Sequence, residues 1–115
     1  MPIMGSDVIH RIGSLAVSTR TTAGNTTLTL FDCVVFATGA HTLTLPSITP
    51  VAGVDTVPAG FILIIFPDET NTTTLTPATS DTIDGASSYS LLIETCILLI
   101  ADGVSNWVPF IGTMP

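Results

Sequence analysis

The chain has 115 residues, enough for one domain that buries roughly two-thirds of the surface its unfolded form would expose. Charged residues are 10% of it, against about 25% in ordinary soluble domains, while 46% are hydrophobic and the mean hydropathy is +0.67. A net charge of −7 with only two basic residues, Arg11 and Arg20, excludes a nucleic-acid-binding surface, because phosphate contacts depend on Lys and Arg.

Residues 1–24 show no sustained period: Val8, Ile9 and Ile12 are followed by Gly13, and then Leu15 and Val17 alternate with small residues. The expectation is an extended N-terminal arm over 1–24 that is ordered by docking on a neighbour, with at most one local strand, followed by a β-domain over 25–115. The start, M-P-I-M-G-S-D, has neither a charged n-region nor an apolar h-region, and Pro2 stands where myristoylation requires glycine. Synthesis in the cytosol is expected, with Cys33 and Cys96 as reduced thiols inside apolar strands.

From Asn25 the sequence turns Thr-rich and β-branched, and T-T-L-T-L-F-D-C-V-V-F-A favours pleated strands over helix. After a turn at Thr38–His41, T-L-T-L-P alternates, with Leu43 and Leu45 on one face, and Pro46 stops it. Ser47 to Gly60, punctuated by Pro50, Gly53 and Pro58, reads as a long surface loop. Phe61–Phe66, F-I-L-I-I-F, is apolar at every position and too short for a stable helix, which suits a strand covered on both faces.

Pro67–Asn71 reads as a polar hairpin turn, and T-T-T-L-T-P as a short strand closed by Pro77. Asp84-Gly85 is a hairpin signal, since both central residues of a type I′ turn need positive φ. Tyr89–Ile93 and Thr95–Ala101 read as strands, Asp102–Asn106 as the last turn, and W-V-P-F-I as the closing strand with Trp107 and Phe110 as large packing groups. No helix with a convincing period occurs. The longest apolar stretch, Leu91–Ala101, is interrupted by Glu94 and falls short of the roughly 20 residues of a spanning helix.

Seven to nine short strands between Gly, Pro, Asn and Asp turns give an all-β class, a β-sandwich or jelly-roll-like domain. No self-similar period is found, which argues against a solenoid. The two-sided strands carry a further expectation. If Phe61, Leu63 and Ile65 face the core, Ile62, Ile64 and Phe66 point the other way, and leaving them in water forgoes roughly 1.5 to 3 kcal/mol each. These three, with Ile97 and Leu99 of the second two-sided run, are the expected subunit interface of an obligate oligomer.

Motifs for chemistry are missing. Asp68 with Glu69 and Asp81 with Asp84 fall in turns and match no cation-binding loop. His10 and His41 have no Cys or acid at ligand spacing and are expected to be solvated. There is no nucleophile elbow, no phosphate-cradling glycine run and no lysine at all. The expectation is a non-enzyme with no catalytic residue, metal or cofactor.

V-V-F-A-T-G (Val34–Gly39), T-L-T-L-P, N-T-T-T-L-T-P (Asn71–Pro77), D-T-I-D-G, Y-S-L and A-D-G-V-S-N-W-V-P-F (Ala101–Phe110), in that order, resemble small β-structured virion proteins of tailed bacteriophages. The apolar strand followed by D-G-x-x-N-W is the most specific part. The resemblance implies a homotrimer whose subunits bury apolar strands against one another, in the setting of tail fibres, spikes or capsid decoration proteins. This chain departs from long fibres in lacking a coiled-coil stalk, a collagen-like repeat and a separate tip. The leading expectation is a capsid decoration (cement) protein on the virion surface, made in the host cytoplasm. It would partner the major capsid protein through Ile9, Arg11, Ile12 and Arg20 of the arm. The alternative is a tail fibre, spike or baseplate component for host attachment. No nucleic acid, membrane or small-molecule substrate is expected.

Overall fold

The computed structural model describes residues 18–68 and 70–113. Ten strands occur in them: β1 (Thr19–Thr22), β2 (Thr26–Thr27), β3 (Val34–Ala37), β4 (Thr42–Thr44), β5 (Ile62–Phe66), β6 (Thr73–Thr76), β7 (Thr82–Ile83), β8 (Tyr89–Leu91), β9 (Thr95–Ala101) and β10 (Asn106–Thr113). No helix is found among the described residues, so the class is all-β, as expected from the β-branched composition.

Two mixed sheets enclose one core. The larger has the order β1-β3-β5-β9-β10-β7 and the smaller β2-β4-β6-β8. Through the first six strands the chain alternates between them, and each strand pairs in parallel with the one two places later in sequence. It therefore winds as three stacked coils. Parallel neighbours need a crossover of a dozen or more residues, and here each crossover passes through the opposite sheet. The expectation that no solenoid-like winding occurs is corrected. From Thr19 to its partner Val34 is 15 residues and from Thr26 to Leu43 is 17, but from Val34 to Ile64 is 30. The excursion between β4 and β5 hides the period. Antiparallel strands β8, β9 and β10 then complete both sheets.

The core forms where inward side chains of the two sheets meet. Val35, Leu63, Ile65, Ile97, Leu99 and Trp107 of the larger sheet pack over Leu43, Leu75 and Leu91 of the smaller, all essentially inaccessible. Phe61 meets Trp107 edge to face at 6.3 Å between ring centroids, a favoured aromatic geometry. Two buried polar atoms, Thr73 Oγ1 and Trp107 Nε1, have no hydrogen-bond partner among the described residues.

Several turns follow their local chemistry. Asp84 and Gly85 take φ of 50° and 78°, and Ile83 and Ala86 exchange backbone hydrogen bonds around them in a tight turn, but β7 and β8 lie in different sheets, so the expected hairpin does not form. Pro67–Asn71, expected as a hairpin, instead carries the chain from β5 in one sheet to β6 in the other. Ser47–Gly60 is not a simple surface loop: Ile48 and Val57 are buried in the core. The buried Asp81 carboxylate anchors this excursion by accepting the amides of Ile48 at 2.7 Å and Thr49 at 3.1 Å, and the Thr49 hydroxyl.

The expected boundary at residue 24 also moves. Thr19–Thr22 form β1 within the larger sheet, and Arg20, expected as a capsid-contacting group, donates to Asp32 of the same chain at 3.0 Å. Asp32 is 6% exposed and accepts the Thr29 amide as well, so the pair ties β1 to the turn before β3. Ile9, Arg11 and Ile12 lie outside the described residues.

Candidate interaction surfaces

The outer face of the larger sheet is apolar across its four central strands. Alternation turns Leu63 and Ile65 inward and Ile62, Ile64 and Phe66 outward, as the sequence pattern requires. On β9 the same rule contradicts two expected interface residues: Ile97 and Leu99 are fully buried in the core. Their neighbours Leu98 and Ile100 take the outer face instead. The run is apolar at all these positions, so only the strand's registration against β5 decides which set is inside.

Pairing lines these residues into rows. Val34, Ile64, Leu98 and Phe110 are successive cross-strand partners, and Ile62, Ile100 and Val108 form a second row. Phe36 and Phe66 make a third, with rings stacked 5.4 Å apart at 15°. Phe36, Ile62, Val108 and Phe110 are 42%, 42%, 39% and 59% exposed. Polar groups border the face at both edges. Thr19 and Thr21 stand on the β1 side, and Thr82, whose hydroxyl donates to Asn106 Oδ1, on the β7 side.

The outer face of the smaller sheet differs in kind. Thr42, Thr44, Thr74, Thr76 and Ser90 alternate with the buried Leu43 and Leu75, so this side carries hydroxyls where the larger sheet carries hydrocarbon. Of the two sheet faces, the larger one is therefore the apolar one.

A cleft of about 400 Å³ lies between the segment Thr27–Phe31, the end of β4 and the excursion. Leu28, Leu30, Phe31, Pro46, Val51 and Val54 line it, and Asp55 is its one acidic side chain. The volume is within the range of ligand pockets, but no set of polar groups converges in it.

Ionisable side chains serve the turns. Asp68 accepts the Gly39 amide at 2.6 Å, the Thr70 amide at 2.9 Å, and the Asn71 amide and side chain, linking two inter-sheet turns. The Gly39 bond above all, then that from Thr70, holds its carboxyl far below the usual aspartate range. Asp102 is lowered chiefly by the Asn106 amide and next by that of Val104, in the turn ahead of β10. His41, expected to be solvated, is half-buried. Its Nδ1 donates to the Gly39 carbonyl at 3.1 Å, and its Nε2 lies 2.9 Å from the Thr22 hydroxyl. Cys33 and Cys96 are free thiols, partly rather than fully buried. Among the described residues no cluster of three His, Cys, Asp or Glu side chains could hold a metal ion.

No protein-family model, curated protein or solved structure matches the chain.

Proposed function

We propose that the protein is a virion structural component, a capsid decoration protein that associates as a homotrimer and stabilises the major capsid lattice. The observation that carries this reading is the apolar outer face of the larger sheet. Its rows of Ile, Leu, Val and Phe are continuous across four strands, while the opposite sheet presents Thr and Ser. Monomers rarely leave such a patch open, so burial against neighbouring copies around a threefold axis is a fitting cover. The ordered motifs from Val34 to Phe110 supply the phage setting.

A tail fibre, spike or baseplate component is the second reading. The parallel coils favour it, because a coil stack can continue along its axis into a longer module. Copy number separates the two. Quantitative gels of purified particles should show this chain in numbers comparable to the major capsid protein if it decorates the lattice. A count of a few trimers per particle would move it to the tail. Micrographs of particles with and without the protein should show added knobs on the capsid surface; knobs confined to the tail would overturn the decoration reading.

A further inference from the structure

The apolar cleft at the ends of β2 and β4 has two walls that are braced from behind. One is the segment from Thr27 to Phe31, tied by the Leu28 amide to the Thr44 carbonyl and by the Thr29 amide to the buried Asp32 carboxylate at 2.7 Å. The other belongs to the excursion, where the buried Asp81 carboxylate holds Ile48 and Thr49 and a tight turn brings the Val54 amide to the Val51 carbonyl at 3.1 Å. The inaccessible Leu28 and Leu45 back the cleft, while Phe31 and Val54, 83% and 51% exposed, stand at its surface. Walls held in this way lower the ordering cost of binding.

Charge at the cleft has one sign. Asp55 is the acidic side chain among the lining residues and is exposed, whereas Asp32 is paired with Arg20 and Asp81 accepts three hydrogen bonds. The chain as a whole has a net charge of −7 and no lysine. An occupant that brings an acid here is repelled, and one that brings Lys or Arg is attracted. A second copy offers the wrong charge. Its exposed apolar tip, Leu92 and Ile93, stands at the opposite end of β6 from the cleft and is followed directly by Glu94, and its Arg20 is engaged with Asp32.

We propose that this cleft is a docking site for a segment of a separate partner protein that presents a bulky apolar side chain next to a Lys or Arg. The apolar group fills the cleft against Leu28, Leu30 and Val51, and the cation pairs with Asp55. A volume of about 400 Å³ with apolar walls suits an anchoring side chain, the kind of group that dominates binding at protein interfaces. A polar small molecule would need the converging polar groups that the cleft lacks. The site is built at the ends of β2, β4 and β6 in the smaller sheet, apart from the apolar outer face of the larger one. One copy can therefore keep its subunit contacts and hold the partner at the same time, and the inference is the same for a decoration protein and for a tail component.

Amide NMR spectra of the isotope-labelled full-length protein, titrated with acetyl-Phe-Leu-Arg-amide, test the site. Saturable shifts should appear at Leu28 to Phe31 and at Val51 to Asp55. The Gln counterpart of the peptide should bind about 1.5- to 5-fold more weakly, the worth of one exposed ion pair, and the Glu counterpart more weakly again. Acetyl-Ala-Ala-Arg-amide should lose about 10-fold or more, because the apolar anchor is gone. In Asp55→Asn the Arg and Gln peptides should bind equally while the Gln peptide keeps its affinity, which separates loss of the charge from loss of the fold. Light scattering should give the same assembled mass with and without peptide. Shifts that spare the cleft, equal binding of the Arg, Gln and Glu peptides, an Arg preference retained in Asp55→Asn, or a fall in assembled mass would each overturn the proposal. Cleft amides that shift with protein concentration before any peptide is added would put a second copy in the cleft and overturn the assignment to a separate partner.

Discussion

Phe36 and Phe66 stack at 5.4 Å on neighbouring parallel strands, with their rings on the outside of the molecule rather than in its core. Phe36 is 42% exposed, and an aromatic pair held in this way is worth about 0.5 to 1.5 kcal/mol beyond its burial. The stacked pair and Phe110 make this face of Ile, Leu and Val partly aromatic.

Phe66→Asp therefore places a charge in the proposed subunit contact and should abolish self-association. The expected result by light scattering is a trimer for the parent chain at micromolar concentration and a monomer for the variant. Circular dichroism should show unchanged β content, because Phe66 points away from the core. A stable monomer for the parent chain would remove the basis of the oligomer reading.

The two faces of β9 should respond in opposite ways. Leu99 is inaccessible in the core, and Leu99→Ala should lower unfolding free energy by about 2 to 5 kcal/mol without changing the assembled mass of the protein that remains folded. Ile100 lies on the outer face, and Ile100→Asp should dissociate the oligomer with a much smaller effect on the monomer's urea midpoint, measured below the association range. Equal effects of the two substitutions on stability would show that both sides of β9 are interior.

The contrast within β9 marks what a sequence of this kind can reveal. The alternating T-L-T strands and the two-sided runs at β5 and β9 are legible, because period 2 and continuous apolarity are local signals. Which side of a uniformly apolar strand is the core is not local. For β5 the flanking Phe61 packs on Trp107 and the inward set is the expected one, whereas for β9 it is reversed at Ile97 and Leu99. The coil winding is hidden for another reason: repeats of 15, 17 and 30 residues share no period, and their kinship lies in backbone pairing that Thr and Val satisfy equally well. Arg20 reads as a free contact group in the sequence because its partner Asp32 lies across a turn whose geometry the intervening residues do not announce.

Acid should weaken the protein through its turn aspartates. Hydrogen bonds from Gly39 and Asn106, respectively, favour the ionised forms of Asp68 and Asp102, so their folded pKa values lie below the ordinary 3.8. A depressed carboxylate contributes stability that is present in full above the unfolded-state pKa and is lost as pH falls through the folded one. The urea midpoint should thus be insensitive to these two groups between about pH 5 and 7 and should fall progressively below about pH 4. Asp68→Ala should lower the midpoint at neutral pH and flatten the decline in acid. An unchanged acid limb in that variant would show that the Gly39 and Thr70 bonds do not stabilise the charged form.

Gly103 tests the D-G-V-S-N-W turn directly. Its φ of +85° is strained for any residue with a side chain, and a Cβ added there would lie 2.6 Å from the Ala59 Cβ, too close for two carbons without a backbone shift. Both effects act on a point where the excursion meets the end of β9, since the Gly60 amide donates to the Ala101 carbonyl. Gly53 separates them, because its φ is +76° but nothing lies within 4 Å of where its Cβ would stand. Gly53→Ala should cost about 1 to 2 kcal/mol from the left-handed conformation alone, and Gly103→Ala about 1 to 3 kcal/mol more from overpacking against Ala59. Urea unfolding of the two variants measures the difference. Equal losses would mean that the excursion yields without resistance and that glycine is needed at 103 for its backbone conformation only.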